Sequence, residues 1–149
     1  MQITDVTLTP VYSRRETGIA SPHVIVQLHT DEELVGLGEM SDLGHGNYRF
    51  DLDDLRESIL YFLEGEDALH YGPLTRAGRA RFPRGGALRE GIEIAIFDLV
   101  GKAKDQSIAE VLGGGYRDKI RVCYPIFRMF DMDEVEANVA RVERRMNEG

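Results

Sequence analysis

Between Leu88 and Ala103 the apolar positions Leu88, Ile92, Ala95, Ile96, Leu99, Val100 and Ala103 recur at the spacing of an α-helix. Ile94 and Phe97 widen that stripe, so most of the helix girth is expected to be buried. A helix that needs cover on most sides must lie against other elements, and no other stretch constrains the fold as much. Asp98 sits inside the run. A buried carboxylate must be paired or hydrogen-bonded, so Asp98 is expected to have a fixed partner. A structural salt bridge or a bond to neighbouring backbone is expected, rather than a catalytic role. The following Gly113-Gly114-Gly115 lacks the Gly-Lys-Ser/Thr of a phosphate loop and reads as a helix C-cap followed by a turn.

Upstream, the pattern changes period. Val6, Leu8, Pro10 and Tyr12 fall on one face of a first strand, and Val24, Val26 and Leu28 alternate in a second. His23, Ile25, Gln27 and His29 fall on that strand's opposite face. Thr30-Asp31-Glu32-Glu33 is a tight connection to a third strand at Leu34 to Met40. Gly36 and Gly38 weaken strand propensity there and suggest close packing of another element. Arg14 to Pro22 and Ser41 to Asn47 read as surface loops. A helix capped by Asp53 or Asp54 follows, with Leu52, Leu55, Ile59, Phe62 and Leu63 on one face. Gly72 to Gly86 reads as irregular and rich in arginine. Lys119 to Ile126 fits a buried parallel strand, and Asp133 can cap a final helix bearing Val135, Val139, Val142 and Met146 on one side.

The composition excludes several roles. With 149 residues and a formal net charge of −8, the chain is one domain's length and too acidic to favour nucleic acid or an anionic membrane. No apolar run reaches spanning length, and the first residues lack a signal peptide's basic region. The single Cys123 cannot form an internal disulfide, which points to a reducing cytoplasm, and it reads as a small core residue. His23, His29, His45 and His70 show no metal-binding spacing, and Asp51, Asp53 and Asp54 suit a helix start better than a metal cluster. The arginines from Arg76 to Arg89 suit subunit contacts or internal ion pairs.

The run GIEIAIFDLVGKAKDQSIAEVLGG resembles the end of the N-terminal capping domain of the enolase superfamily, in its mandelate racemase and muconate-lactonizing branch. There the helix reads roughly E-x-A-L-W-D-L-x-G-K and a short helix ends in L-L-G-G. Glu93, Ala95, Ile96, Phe97, Asp98, Leu99, Gly101, Lys102, Leu112, Gly113 and Gly114 sit at matching places, and Gly36, Gly38 and Glu39 match the family's V-G-x-G-E.

The resemblance implies an α+β capping domain, a three-stranded antiparallel meander followed by helices, over residues 1–115. It leads into the first βα unit of a (β/α)7β TIM-like barrel, truncated, over 116–149. It implies Mg²⁺-dependent proton abstraction alpha to a carboxylate, by a dehydratase, racemase or cycloisomerase. The base and the metal ligands would follow on later strands, so no catalytic and no metal-binding residue is assigned in this chain, and the chain alone is expected to be inactive. Expected partners are the remaining barrel segment, in the same or a separate polypeptide, a small carboxylate substrate, and further copies in a homo-oligomer.

Capping loops of the family contact the distal part of the substrate. By position, Arg14, Ile19, Ser21, His45 and Asn47 are the substrate-binding candidates here. His45 lies between glycines that let backbone approach a ligand. Arg14 and Arg15 suit a bidentate fork to a carboxylate, or equally are surface charges at a strand end. The competing reading is a noncatalytic α+β interaction module that needs a partner chain.

Overall fold

The computed structural model describes residues 1–14, 20–41, 51–121, 123 and 135–147. They fall in two compact units, Met1–Gly115 and Tyr116–Gly149.

In the first unit β1 (Ile3–Arg14), β2 (Ala20–Thr30) and β3 (Val35–Met40) form an antiparallel sheet in the order β1-β2-β3. Val6 pairs with Leu28 and Val26 with Gly38, so alternate side chains of all three strands share one face. That inner face buries Val6, Val24, Val26, Leu28 and Met40. Of the β1 face expected from the sequence, Val6 is buried, whereas Tyr12 is 74% exposed. The turn after β2 closes with the Thr30 N–H and Oγ–H both donating to Leu34 O, and Glu33 adopts a left-handed φ of 61°.

Helices α1 (Leu52–Leu63) and α3 (Gly86–Lys104) cover the inner face, and α2 (Tyr71–Arg81) packs against both helices. The N-cap of α1 is Asp51, not Asp53 or Asp54: its carboxylate accepts from the Asp53 and Asp54 N–H groups. An Asp at that position satisfies two of the orphan donors of the first turn, which residues inside the helix cannot do. Leu55, Ile59 and Leu63 are its buried stripe.

Residues 71–81, expected to be irregular, form α2. Gly72 and Pro73 stand in its first turn, where proline is tolerated. Leu74 and Gly78 are buried, the latter beside Phe62, so packing outweighs the weak propensity. In α3, Leu88, Ile92, Ala95, Ile96, Leu99 and Val100 are buried as their spacing predicts. Ile94 is 46% exposed, so the buried stripe is narrower than expected. The short α4 (Ile108–Val111) starts at a Ser107–Glu110 capping box, and Gly113 and Gly114 end it with positive φ, as a C-cap and turn require.

In the second unit, the helix α5 (Val135–Asn147) is present, with Val135, Val139, Val142 and Met146 exposed. The strand expected at 119–126 is not formed over the described residues there: Lys119, Ile120 and Arg121 have no regular structure, and Ile120 is 78% exposed. Cys123 is exposed, which corrects its reading as a core residue. A strand is held by a neighbour that accepts its ladder bonds, and none is formed by the described residues of this unit. Val122, Tyr124 and Asp133 lie outside the described residues. No helix among the described residues is long and apolar enough to cross a membrane.

Candidate functional site

Antiparallel order sends the last residue of β1, the first of β2 and the last of β3 to the same end of the sheet, opposite the turn at 31–34. Arg14 pairs with Ala20 there, and Val24 with Met40 one strand across. Both segments proposed as substrate loops therefore leave from one end. Arg14 is the exposed last residue of β1. Ser21 is not in a loop: it belongs to β2, opposite Ser13, and is 3% exposed. A serine there is held by the hairpin ladder that extends three residues further than its polar sequence suggests. Ile19, His45 and Asn47, and with them Arg15, lie outside the described residues.

At this end the structure adds a pair that sequence reading missed. His23 Nδ1 lies 2.7 Å from Glu39 Oε1 across the outer face of β2 and β3. The carboxylate can only accept, so Nδ1 carries the proton and donates. That tautomer leaves Nε2 as an acceptor in the neutral ring and as a second donor in the imidazolium. Nε2 is buried and has no hydrogen-bond partner among the described residues. The sequence held one signal: alternation puts His23 on the outer face and Glu39 two residues beyond Leu37 on the same face, but their meeting depends on register.

Along β3 the helix α3 runs antiparallel, Gly38 lying against Gly91 and Gly36 against Ala95 and Leu99. Asp98 has the fixed partners its sequence position demanded. Its carboxylate accepts from Leu37 N–H at 2.7 Å and from Lys102 Nζ at 2.6 Å, and Lys102 also donates to Val35 O at 2.7 Å. Together they occupy the backbone groups on the free edge of β3, where an unpaired strand would otherwise invite another chain. This Asp–Lys pair is structural, and Asp98 keeps 25% side-chain exposure rather than full burial. A cavity of about 380 Å³ beside it is lined by Asp98, Gly101, Lys102, Asp105, Gln106, Ser107 and Ile108. Among the described residues no three His, Cys, Asp or Glu side chains are grouped to hold a metal ion.

The N-terminal domain model of mandelate racemase / muconate lactonizing enzyme matches residues 1–113. The chain is 31% identical over 108 residues to a chloromuconate cycloisomerase of Cupriavidus pinatubonensis, covering 69% of this chain and 29% of that protein. It is 28% identical over 134 residues to a D-xylonate dehydratase of Haloferax volcanii, covering 81% of this chain and 28% of that one. Among solved structures it resembles a dipeptide epimerase from Methylococcus capsulatus complexed with Mg ion, with a TM-score of 0.65 and 26% identity over 76% of this chain and 33% of the other. The chain thus spans about a third of the length of the proteins it matches.

Proposed function

We infer what this protein does from one premise: it belongs to the mandelate racemase / muconate lactonizing enzyme family, whose N-terminal domain it carries over residues 1–113. Its relatives include dehydratases, cycloisomerases and epimerases. The chain is the N-terminal portion of a Mg²⁺-dependent enzyme that removes a proton alpha to a carboxylate, with an acid sugar as substrate and dehydration or racemisation as outcome. An alpha proton is so weakly acidic that a divalent cation at the carboxylate is needed, and the cation supplies that stabilisation when bound. On this reading its ligands and the base belong to barrel strands of the remaining segment, as the family resemblance implies. Residues 1–115 act as the cap and 116–149 begin the barrel.

The observation that supports a capping role is the convergence of both loop exits at one end of the sheet, with His23 and Glu39 between them. From there Arg14 meets a distal anionic group of the substrate, Ile19, Ser21, His45 and Asn47 shape the pocket, and His23 Nε2 receives or supplies one hydrogen bond. The lone cysteine supports a cytoplasmic enzyme.

The test is direct. The full-length protein is incubated in D₂O with Mg²⁺ and a panel of aldonic and aldaric acids, and mass spectrometry reads deuterium at the alpha carbon or loss of water. Metal-dependent exchange or dehydration is expected from the full-length protein and none from residues 1–149 alone. Turnover by the isolated chain, or no exchange with any acid in the panel, overturns the reading.

A further inference from the structure

Both outer strands of the sheet carry the same device on the side that faces away from β2. On β3, Oδ2 of Asp98 accepts from Leu37 N–H at 2.7 Å and from Lys102 Nζ at 2.6 Å, and Lys102 also donates to Val35 O at 2.7 Å. On β1, Oδ1 of Asp5 accepts from Val6 N–H at 2.7 Å and from the Arg56 guanidinium, while Arg56 Nε donates to Val6 O at 3.0 Å. Each time a single carboxylate oxygen holds a strand N–H and a cation borne on a helix, and that cation holds a strand carbonyl. The two clamps are built from different local frames. Asp5 is a strand residue that reaches its own neighbour, whereas Asp98 comes from α3.

Strand alternation shows that the clamped groups belong to the edges. Backbone groups of successive residues point to opposite sides of a strand. With Leu37 N–H directed away from β2, the facing Gln27 turns its backbone toward β1 and Thr7, which leaves Val6, Leu8, Pro10 and Tyr12 directed outward. Pro10, with no N–H to give, falls on that outward phase. A register shift between Ile3 and Asp5 interrupts the same edge. Between Val6 and Pro10 only Leu8 lies on the outward phase, and on β3 only Glu39 lies beyond Leu37. Neither remnant is long enough to seat a further strand.

We propose that the two Asp–cation clamps are a paired lock on the sheet, which keeps an extended segment of another polypeptide from adding to its three strands. An unsealed edge offers a row of free N–H and C=O groups to any extended chain, and main-chain bonds supply the affinity of such an addition. The lock occupies backbone groups, so it excludes a strand whatever its side chains. An incoming strand has to displace charge-assisted bonds at either edge, and those are about twice as strong as the neutral bonds that would replace them. This goes beyond the enzymatic reading and does not rest on it.

Hydrogen exchange of the full-length protein, resolved by residue, tests it. In the wild type the Val6 and Leu37 amides are expected to exchange about tenfold slower than that of Glu39, an outward N–H with no acceptor among the described residues. D5A/R56A should speed Val6 about tenfold and leave Leu37 unchanged, and D98A/K102A should do the reverse, whereas a general loss of stability would speed both. D5N/R56K keeps an acceptor and a donor and should exchange like wild type at Val6. The quadruple variant D5A/R56A/D98A/K102A should bind thioflavin T and show the amide I band of intermolecular sheet. Leu63→Ala, which loosens the buried core without touching an edge, should do neither. Equal exchange at Val6, Leu37 and Glu39 in the wild type, acceleration of both clamped amides by either double variant, or a quadruple variant that binds no more dye than Leu63→Ala each overturn the proposal.

Discussion

Gly38 of β3 and Gly91 of α3 stand backbone against backbone: a Cβ added to Gly38 would lie 1.9 Å from the Gly91 carbonyl oxygen. A Cβ on Gly91 would in turn lie 2.9 Å from Met40 N. This contact lets the helix lie directly on the strand and brings Asp98 and Lys102 within reach of β3's free edge.

Gly38→Ala should therefore be strongly destabilising. Backbone cannot yield as a flexible side chain can, so the helix must lift from the sheet, at a cost of about 3 kcal/mol or more. Gly72→Ala is the control: nothing lies within 4 Å of its added Cβ, and Ala in a helix gains up to about 1 kcal/mol over Gly. Urea midpoints should move in opposite directions for the two, and an unmoved midpoint for Gly38→Ala would contradict this contact.

Asp98→Ala removes the acceptor of a backbone N–H and of an ammonium, whereas Asp98→Asn keeps an amide oxygen for Leu37 N–H. A loss of about 1–3 kcal/mol is expected for Ala and a smaller one for Asn. Hydrogen exchange at the Leu37 amide should accelerate in Asp98→Ala. Equal exchange in wild type and variant would mean that the edge is not held by this carboxylate.

The N-terminal ammonium contributes a pH-dependent term. A hydrogen bond to Glu32 chiefly, with the nearby charge of Asp67, raises its pKa above the ordinary 8.0. A group whose folded pKa is raised stabilises fully below its unfolded value and loses that stabilisation as pH climbs through the folded one. Thermal midpoints should fall from pH 8 upward, and Glu32→Gln should flatten that part of the profile. Asp67 has the opposite sign: the Leu69 N–H, first, and the ammonium hold its carboxyl below the usual range, so its contribution fades only on acidification. Identical profiles for wild type and Glu32→Gln above pH 8 would rule out the ion pair.

His23→Ala and Glu39→Gln address the proposed site. If His23 Nε2 bonds the substrate and Glu39 sets its tautomer, both variants of the full-length enzyme should raise KM about tenfold, the size of one lost hydrogen bond, with kcat within about twofold. Far-ultraviolet circular dichroism should match wild type, since the pair sits on the sheet's outer face. Unchanged kcat/KM in both variants removes the pair from the site.

Sequence alone determined the elements whose periodicity is long and whose burial is one-sided. The apolar spacing of α3, the alternation of Val24, Val26 and Leu28, and the close approach implied by Gly36 and Gly38 all follow from side-chain geometry within one segment. The resemblance of the run around Asp98 to the enolase-superfamily capping domain was legible for the same reason, because the helix, its acid and its glycine pair are local. Tertiary structure decided the rest. α2 contains Gly72, Pro73 and Gly78, and it is a helix because Leu74 and Gly78 pack against elements distant in sequence. Ser21 became a buried strand residue because β1 continues opposite it to Arg14. The bond of Asp98 to Leu37 and the meeting of His23 with Glu39 join residues 61 and 16 positions apart, and only strand register and helix docking fix such separations. The second unit shows the same principle in reverse. The apolar run from Ile120 to Ile126 reads as a strand in any window, yet Ile120, Arg121 and Cys123 have no strand partner among the described residues, because a strand's backbone bonds belong to its neighbours and not to its own sequence.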